Sequence, residues 1–561
     1  MKKMNKRKAV TSLGVMLSIL EVAGCQTASP PSTTPSETTT TSWAGKKVSL
    51  EQGWSKEIQQ LFWFTDQGSE IIPYAWFLAL EQPDSTEPFR ADANMTRLGY
   101  LPEQASSYNP DGLPVGFARA VDPKDGNKWF GLTCAACHTG QVNYRGAVIR
   151  IDGGQTLGDF NGFLDELVAG LRATLKDEAK FQRFGGRVLG ETASPVQLKD
   201  LRTALAARVT ALEDRIALNL PPSPAGHGRV DAFGNIFNEV FVVGLGIPAN
   251  QVPPSAPVSY PFLWDTPQHD LVQWNGAAPN AGVGPLLRNV GEVLGVFGTL
   301  KIDPKRIPVG YPSSINIRNL GKLEDWLVDL KSPQWPQEYL PAIDSAKAKR
   351  GQTHYQAYCL RCHAEIDRKD PNRRISAVMT PIASLGTDET MAKNAAERRV
   401  KTGKLQGTRE MIFFGKRFGP EAPGTKVGPA VAGGVALGQP FAALKAGLRE
   451  YLDVRNAASF DPMSYKARPL NGVWATAPYL HNGSVPNLRQ LLQPGSQREK
   501  VFFVGSYEFD PERVGFVSGP GTGRFRYDTG LSGNANGGHE YGVRELTDEQ
   551  KGELLEYLKT L

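Results

Sequence analysis

The chain has 561 residues, too many for one ordinary domain and suited to two or three. With 40% hydrophobic and 21% charged residues it can bury a core, which excludes wholesale disorder. Its net charge of +6 has no Lys/Arg stripe behind it beyond the first eight residues, so nucleic acid is set aside as a partner.

The N-terminus reads as an address. Lys2, Lys3, Lys6, Arg7 and Lys8 precede an apolar run from Ala9 to Leu20, and Val22-Ala23-Gly24-Cys25 follows. A basic start, a short apolar stretch and small residues before a cut describe a secretory signal over residues 1–24, too short for a spanning helix. The small residues ahead of Cys25 resemble a bacterial lipobox. That implies an acylated Cys25 holding an exported protein on a membrane, on the periplasmic side of the outer membrane or at the surface of a Gram-negative cell. Plain signal cleavage with an incidental Cys25 is the alternative. Residues 25–42 are rich in Ser, Thr and Pro, lack apolar periodicity and read as a tether.

The other four cysteines form two C-x-x-C-H motifs, Cys134-Ala135-Ala136-Cys137-His138 and Cys359-Leu360-Arg361-Cys362-His363. Two thiols three positions apart can reach the two vinyl groups of one haem and form thioethers, and the next histidine then becomes the proximal iron ligand. Zinc would want a second pair nearby, and a thioredoxin-type motif would sit in a βαβ pattern without needing the histidine. Two covalently bound haem c groups are therefore expected, with iron on His138 and His363. The cysteine count resolves as one anchor and two pairs, with no thiol left for a disulfide.

Around these motifs a helix is expected from Ile343 to Tyr358, with Ala346, Gly351, Tyr355 and Tyr358 on its spaced faces. Another lies within Leu198–Leu218, and a last one is capped by Thr547 and carries Leu554, Leu555 and Leu558. The Pro-rich stretch 332–341 marks a boundary. With 59 Gly and 41 Pro, the fold expected is mainly α with long irregular loops. It divides into two cytochrome c-like domains, residues 43–340, enlarged by insertions, and 341–561. Gly153-Gly154 and the run 519–523 lack the strand-then-helix context of a phosphate loop.

Four segments, 134–163, 226–234, 257–298 and 470–492, carry a family likeness. The last contains Pro478-Tyr479-Leu480-His481-Asn482-Gly483. The chain resembles the bacterial diheme cytochrome c peroxidase/MauG superfamily. The size of its first domain and its Gly538-His539-Glu540-Tyr541-Gly542 segment resemble the rubber-oxygenase-like (RoxA-like) branch most.

The resemblance implies that the haem at Cys134, Cys137 and His138 meets peroxide or dioxygen, while the one at Cys359, Cys362 and His363 exchanges electrons with a small redox protein or another donor or acceptor. No histidine lies between His138 and His227, which favours an open sixth position on the first haem. For the second, the branch points to His539, with Met379 and His481 as rivals, and His481 otherwise as a hydrogen-bonding neighbour. Trp274, in Trp274-Asn275-Gly276, is implied as an electron relay, with Trp264 as a second candidate. Glu292 is implied as a distal acid/base over the first haem. A pure electron-transfer cytochrome and a rubber-oxygenase-type dioxygenase remain the alternatives. Removing residues 1–24, with five basic and one acidic residue, takes the charge to +2. Four haem propionates would take it to about −2.

Overall fold

The computed structural model describes residues 45–122, 125–306, 309–452 and 461–561. The expected signal peptide, the Cys25 anchor and the tether lie outside the described residues. The expectation of a mainly α fold is corrected: the protein is 38% helix and 16% strand, with the strands spread over nine small sheets among the described residues. These strands are only two to six residues long, too short for their alternation to stand out between Gly- and Pro-rich loops.

One such hairpin carries the first motif. Thr139–Tyr144 pairs antiparallel with Ala147–Asp152, and Lys47–Ser49 adds a third, parallel strand. Arg145 and Gly146 close the hairpin, both with positive φ, the two-residue turn whose twist suits a strand pair. His138 is the residue just before this hairpin. Cys134–Ala136 is a single 3₁₀ turn capped by the Thr133 side chain, which accepts from Ala135 N. Gly116 (φ +82°) lets a neighbouring strand touch that turn, since a Cβ there would lie 1.9 Å from Ala136 N.

Beside the hairpin, helix Phe160–Lys176 packs on helix Pro195–Leu218. The second covers the expected 198–218 span and begins at a capping box of Ser194 and Gln197. Beneath them Phe77, Phe117, Phe130 and Phe163 form an aromatic cluster, with Phe77 and Phe130 stacked at 3.7 Å. Each such burial contributes roughly 1.5–3 kcal/mol. A second apolar cluster runs from Phe62 to Leu558 and includes residues on both sides of position 340.

The second motif is carried differently. Helix Ser345–Tyr358 starts at Asp344, whose carboxylate accepts from Ala346 N and Lys347 N. It buries Ala348, Gly351 and Tyr355, while Ala346 is exposed and Tyr358 only half-buried. The last helix, Asp548–Leu558, has the expected Thr547 cap, closed into a box by Gln550. The two helices cross at Gly351, where a Cβ would lie 2.0 Å from Glu553 O. Glu553 in turn binds Arg350 and, at 3.0 Å, His354.

Candidate functional site

Both motifs fold their backbone alike. Cys134 O accepts from Cys137 N at 3.2 Å and from His138 N at 2.9 Å; Cys359 O accepts from Cys362 N at 3.1 Å and from His363 N at 2.9 Å. This turn brings Cys134 and His138 to one space and Cys359, Cys362 and His363 to another, while Cys137 is buried behind the first. Each imidazole is then steered by a carbonyl: His138 Nδ1 donates to Pro261 O at 2.8 Å and His363 Nδ1 to Arg468 O at 2.6 Å. A carbonyl can only accept, so Nδ1 carries the proton and Nε2 keeps its lone pair for a metal. Burial pushes His138 down to about 4 and lowers His363, keeping both rings in the neutral form that ligates iron.

The spaces these rings face differ. Around His138 lies about 760 Å³ of empty space, including its mouth, with no second histidine or methionine among its described lining residues. Helix Gly284–Gly295 brings Arg288, Asn289 and Glu292 to it, and helix Ile317–Leu327 brings Glu324. Arg288 Nη2 donates to Glu324 at 2.5 Å, and Asn289 to the same oxygen at 2.7 Å; Arg288 Nε lies 3.7 Å from Glu292. Arg288 is thus committed mainly to Glu324. Burial outweighs its pull on Glu292, and Glu324 adds repulsion, so the Glu292 carboxyl is pushed up to about 8.

The larger space beside His363, about 1240 Å³ with its mouth, contains His539. The two rings lie 6.1 Å apart centre to centre, 54° from coplanar. Two imidazoles sharing one metal through Nε2, at roughly 2.0 Å each, hold their centres about 6 Å apart. His539 has a positive φ of 53°, and its N donates to Leu385 O at 2.9 Å. Buried Arg498 fixes this loop by donating to Asn536 O (2.7 Å) and Gly538 O (2.9 Å). Burial pushes His539 down to about 3.

Of the rivals, Met379 packs on Gly276, with its Sδ 2.8 Å from where a Gly276 Cβ would stand. It does not line this space. His481 does, stacked on Tyr465 at 4.1 Å, with its carbonyl accepting from Ser259 N.

The two spaces share a wall. Phe262, Trp274, Lys466 and Arg468 line both. Trp274 Nε1 donates to Ser259 O at 2.9 Å. Trp264 lines neither space; it stacks on Phe262 at 4.4 Å and donates to Asn471 O. None of the four thiols of the motifs is in a disulfide. Among the described residues no group of three or more His, Cys, Asp or Glu is placed to hold a metal ion. Steered imidazoles, thiols beside open space and facing His rings at a two-ligand separation all fit haem c.

Protein y4iJ of Sinorhizobium fredii strain NGR234 is 33% identical over 578 aligned positions, which take in 91% of this chain and 93% of y4iJ. The chain belongs to the y4iJ family. A second protein of that organism, y4iM, is 27% identical over 55% of this chain and 66% of its own length. Within this y4iJ-family chain, residues 464–503 match the RoxA-like, cytochrome c-like family model, which supports a c-type cytochrome with covalently bound haem c.

Sequence reasoning missed the residues that steer the motif histidines, Pro261 and Arg468, and the one that holds Arg288, Glu324. Arg468 carried no signal in the sequence: Lys466 and Arg468 stand two apart, but the strand Ser464–Ala467 beside them and their burial are known only from the structure. Pro261 acts through its carbonyl alone, and side-chain chemistry carries no trace of that.

Proposed function

We propose that this chain is a diheme c-type redox enzyme. Cys134, Cys137 and His138 would hold the first haem; Cys359, Cys362, His363 and His539 would hold the second. The observation that carries this reading is the asymmetry across the two histidines: an imidazole stands 6.1 Å from His363, whereas an acid and its ion-paired helix face the space beside His138. Bound haem c supplies one-electron chemistry and, where one face is open, access of a small oxidant to iron.

The chain's own residues do the rest. Glu292, desolvated beside Arg288, accepts a proton from an incoming peroxide and returns it to the departing oxygen. Arg288, fixed by Glu324, orients that carboxyl. Trp274, on the shared wall, would be the aromatic side chain between the two haems, and a small redox protein or other donor would supply electrons to the second.

We further propose that Cys25, after removal of residues 1–24, carries the lipid anchor on the periplasmic side of the outer membrane or at the cell surface, with residues 25–42 as its tether. Residues 43–340 and 341–561 are the two haem-bearing units. A pyridine haemochrome assay should count two haems per chain, and low-temperature EPR of the oxidised protein should find one high-spin and one low-spin. Two low-spin haems that ignore cyanide and carbon monoxide would replace this reading with a pure electron-transfer cytochrome.

The RoxA-like match favours a second reading, in which dioxygen replaces peroxide at the same first site. It predicts a stable oxygen complex in the purified protein and aldehyde or ketone products from polyisoprene.

A further inference from the structure

Arg468 occupies an unusual place between the two motifs. It is 7% exposed and follows strand Ser464–Ala467, which is paired with Val378–Pro381. Its carbonyl accepts the His363 Nδ1 proton at 2.6 Å. Its guanidinium points the other way: Nη1 donates to Phe262 O at 3.0 Å, Nη2 to Trp264 O at 3.3 Å, and the group lies 3.5 Å over the Phe262 ring. Phe262 is joined directly to Pro261, whose carbonyl accepts from His138 Nδ1. One residue therefore reaches both motif histidines, one through its backbone and the other through its side chain and a single peptide unit.

The charges at this wall are also unusual. Lys466 and Arg468 are both buried and line both spaces. Lys466 Nζ donates to Leu271 O at 2.9 Å. Neighbouring carboxylates are engaged elsewhere: Asp265 by Arg373 and Asn471, Asp270 by Leu271 N and Ala377 N. Arg468 Nε is buried with no hydrogen-bond partner among the described residues. Buried cations need an anionic partner. A carboxylate group entering either space would meet two, and haem carries two propionates.

We propose that Arg468 is a positioning residue that couples the two haem sites: it orients both motif imidazoles and, with Lys466, binds propionate carboxylates at the shared wall. This rests on the two-haem reading above. The fork of Arg468 matches a carboxylate in two-point contact while still holding Phe262 O; Lys466 adds a point charge.

The test is a spectroelectrochemical titration of the intact holoprotein, following each haem, with haem content counted in parallel. Arg468→Gln should lower both midpoint potentials, because a cation near each iron is lost. Lys466→Gln should lower both without changing either haem's EPR signal. Arg468→Lys keeps the charge and loses the fork, so it should restore the potentials towards the original values while the EPR signals of both haems shift. Two haems per chain with only one potential moved, or neither, in both Gln variants overturns the coupling. One haem per chain in the unaltered protein overturns the two-haem reading, and this proposal with it. If Arg468→Gln does not accumulate, Lys466→Gln and Arg468→Lys decide the matter by the same criteria.

Discussion

Two five-residue motifs of one C-x-x-C-H pattern sit in this chain on opposite kinds of scaffold. The first is a 3₁₀ turn feeding a β-hairpin, and the second is the end of an α-helix crossed by the last helix. Their backbones nevertheless close the same two hydrogen bonds, and each histidine is steered by one carbonyl. The motif itself thus sets only how one face of a haem would be held. What stands across from it decides the rest. Beside His363 another imidazole lies at a two-ligand distance; beside His138 there is an acid, a guanidinium and open space. Chemistry differs because the opposite wall differs.

The largest expected effect comes from erasing that difference. His539→Gly removes the imidazole facing His363, so the second site should resemble the first. EPR should show its low-spin signal replaced by a high-spin one, and cyanide should bind at both haems instead of one. A low-spin second haem that persists in this variant would show that another residue, such as His481, ligates it.

Next comes the acid of the first site. Glu292→Gln keeps the shape and removes the base, and should slow turnover with peroxide by about 10²- to 10⁴-fold. Burial raises the Glu292 pKa to about 8, so the deprotonated form that accepts a proton is scarce at neutral pH. In the unaltered protein kcat/KM for peroxide should therefore climb as pH rises through about 8 and then level off. The variant should lack that limb. The sign for stability is opposite. Between the ordinary carboxylate value of 4.5 and about 8, the folded state holds a proton that the unfolded chain has lost, so Glu292's contribution to stability falls as pH rises across that window. A flat kcat/KM profile in the unaltered protein would remove Glu292 from the proton transfer.

Much of this site was legible because covalent chemistry writes itself into spacing. The pairs of cysteines and the histidine beside each need no knowledge of the fold, and the structure brings Cys134 and His138 to one space and Cys359, Cys362 and His363 to another. The Thr547 cap was legible for the same reason, since it acts three residues away, whereas the Ser194 box emerged only with the structure. The strand content was not legible. Pairing such as Lys47–Ser49 with Ala147–Asp152 joins residues about a hundred positions apart, and strands of three to six residues leave too short a pattern. The steering of His138 by Pro261 was equally hidden, since a backbone carbonyl has no residue identity. Arg468 stood in plain view but looked like any basic residue until its burial was known.

Smaller effects should separate the two scaffolds by their close contacts. A methyl group at Gly116 would strike Ala136 N and adopt a strained positive φ, while one at Gly351 would strike Glu553 O. Each Ala substitution should cost about 1–3 kcal/mol of overpacking, with Gly116→Ala the worse by about 1 kcal/mol of backbone strain. Thermal melts followed at each haem's own absorption band should show Gly116→Ala loosening the first site earlier and Gly351→Ala the second. Equal loss at both bands in both variants would mean that the apolar cluster from Phe62 to Leu558 unfolds as one unit and that the scaffolds are not separable.

The smallest effect is also the most local. Thr547 accepts from Gln550 N, and Gln550 returns the bond to Thr547 N at 2.9 Å, so two of the orphan donors at the start of the last helix are satisfied together. Thr547→Ala removes one half of that exchange and should cost about 1 kcal/mol. Helix Asp548–Leu558 supports helix Ser345–Tyr358, which ends at Cys359, so the loss passes to the second motif through the crossing at Gly351. The first motif rests on a hairpin and a turn that this helix does not build. The melt at the second haem's band should therefore shift down by a few degrees at most, while the first haem's EPR signal and the rate of its reaction with peroxide stay unchanged. A change in the first haem's spectrum would mean that the C-terminal helix acts across the shared wall, where Trp274 and Arg468 are the residues placed to carry it.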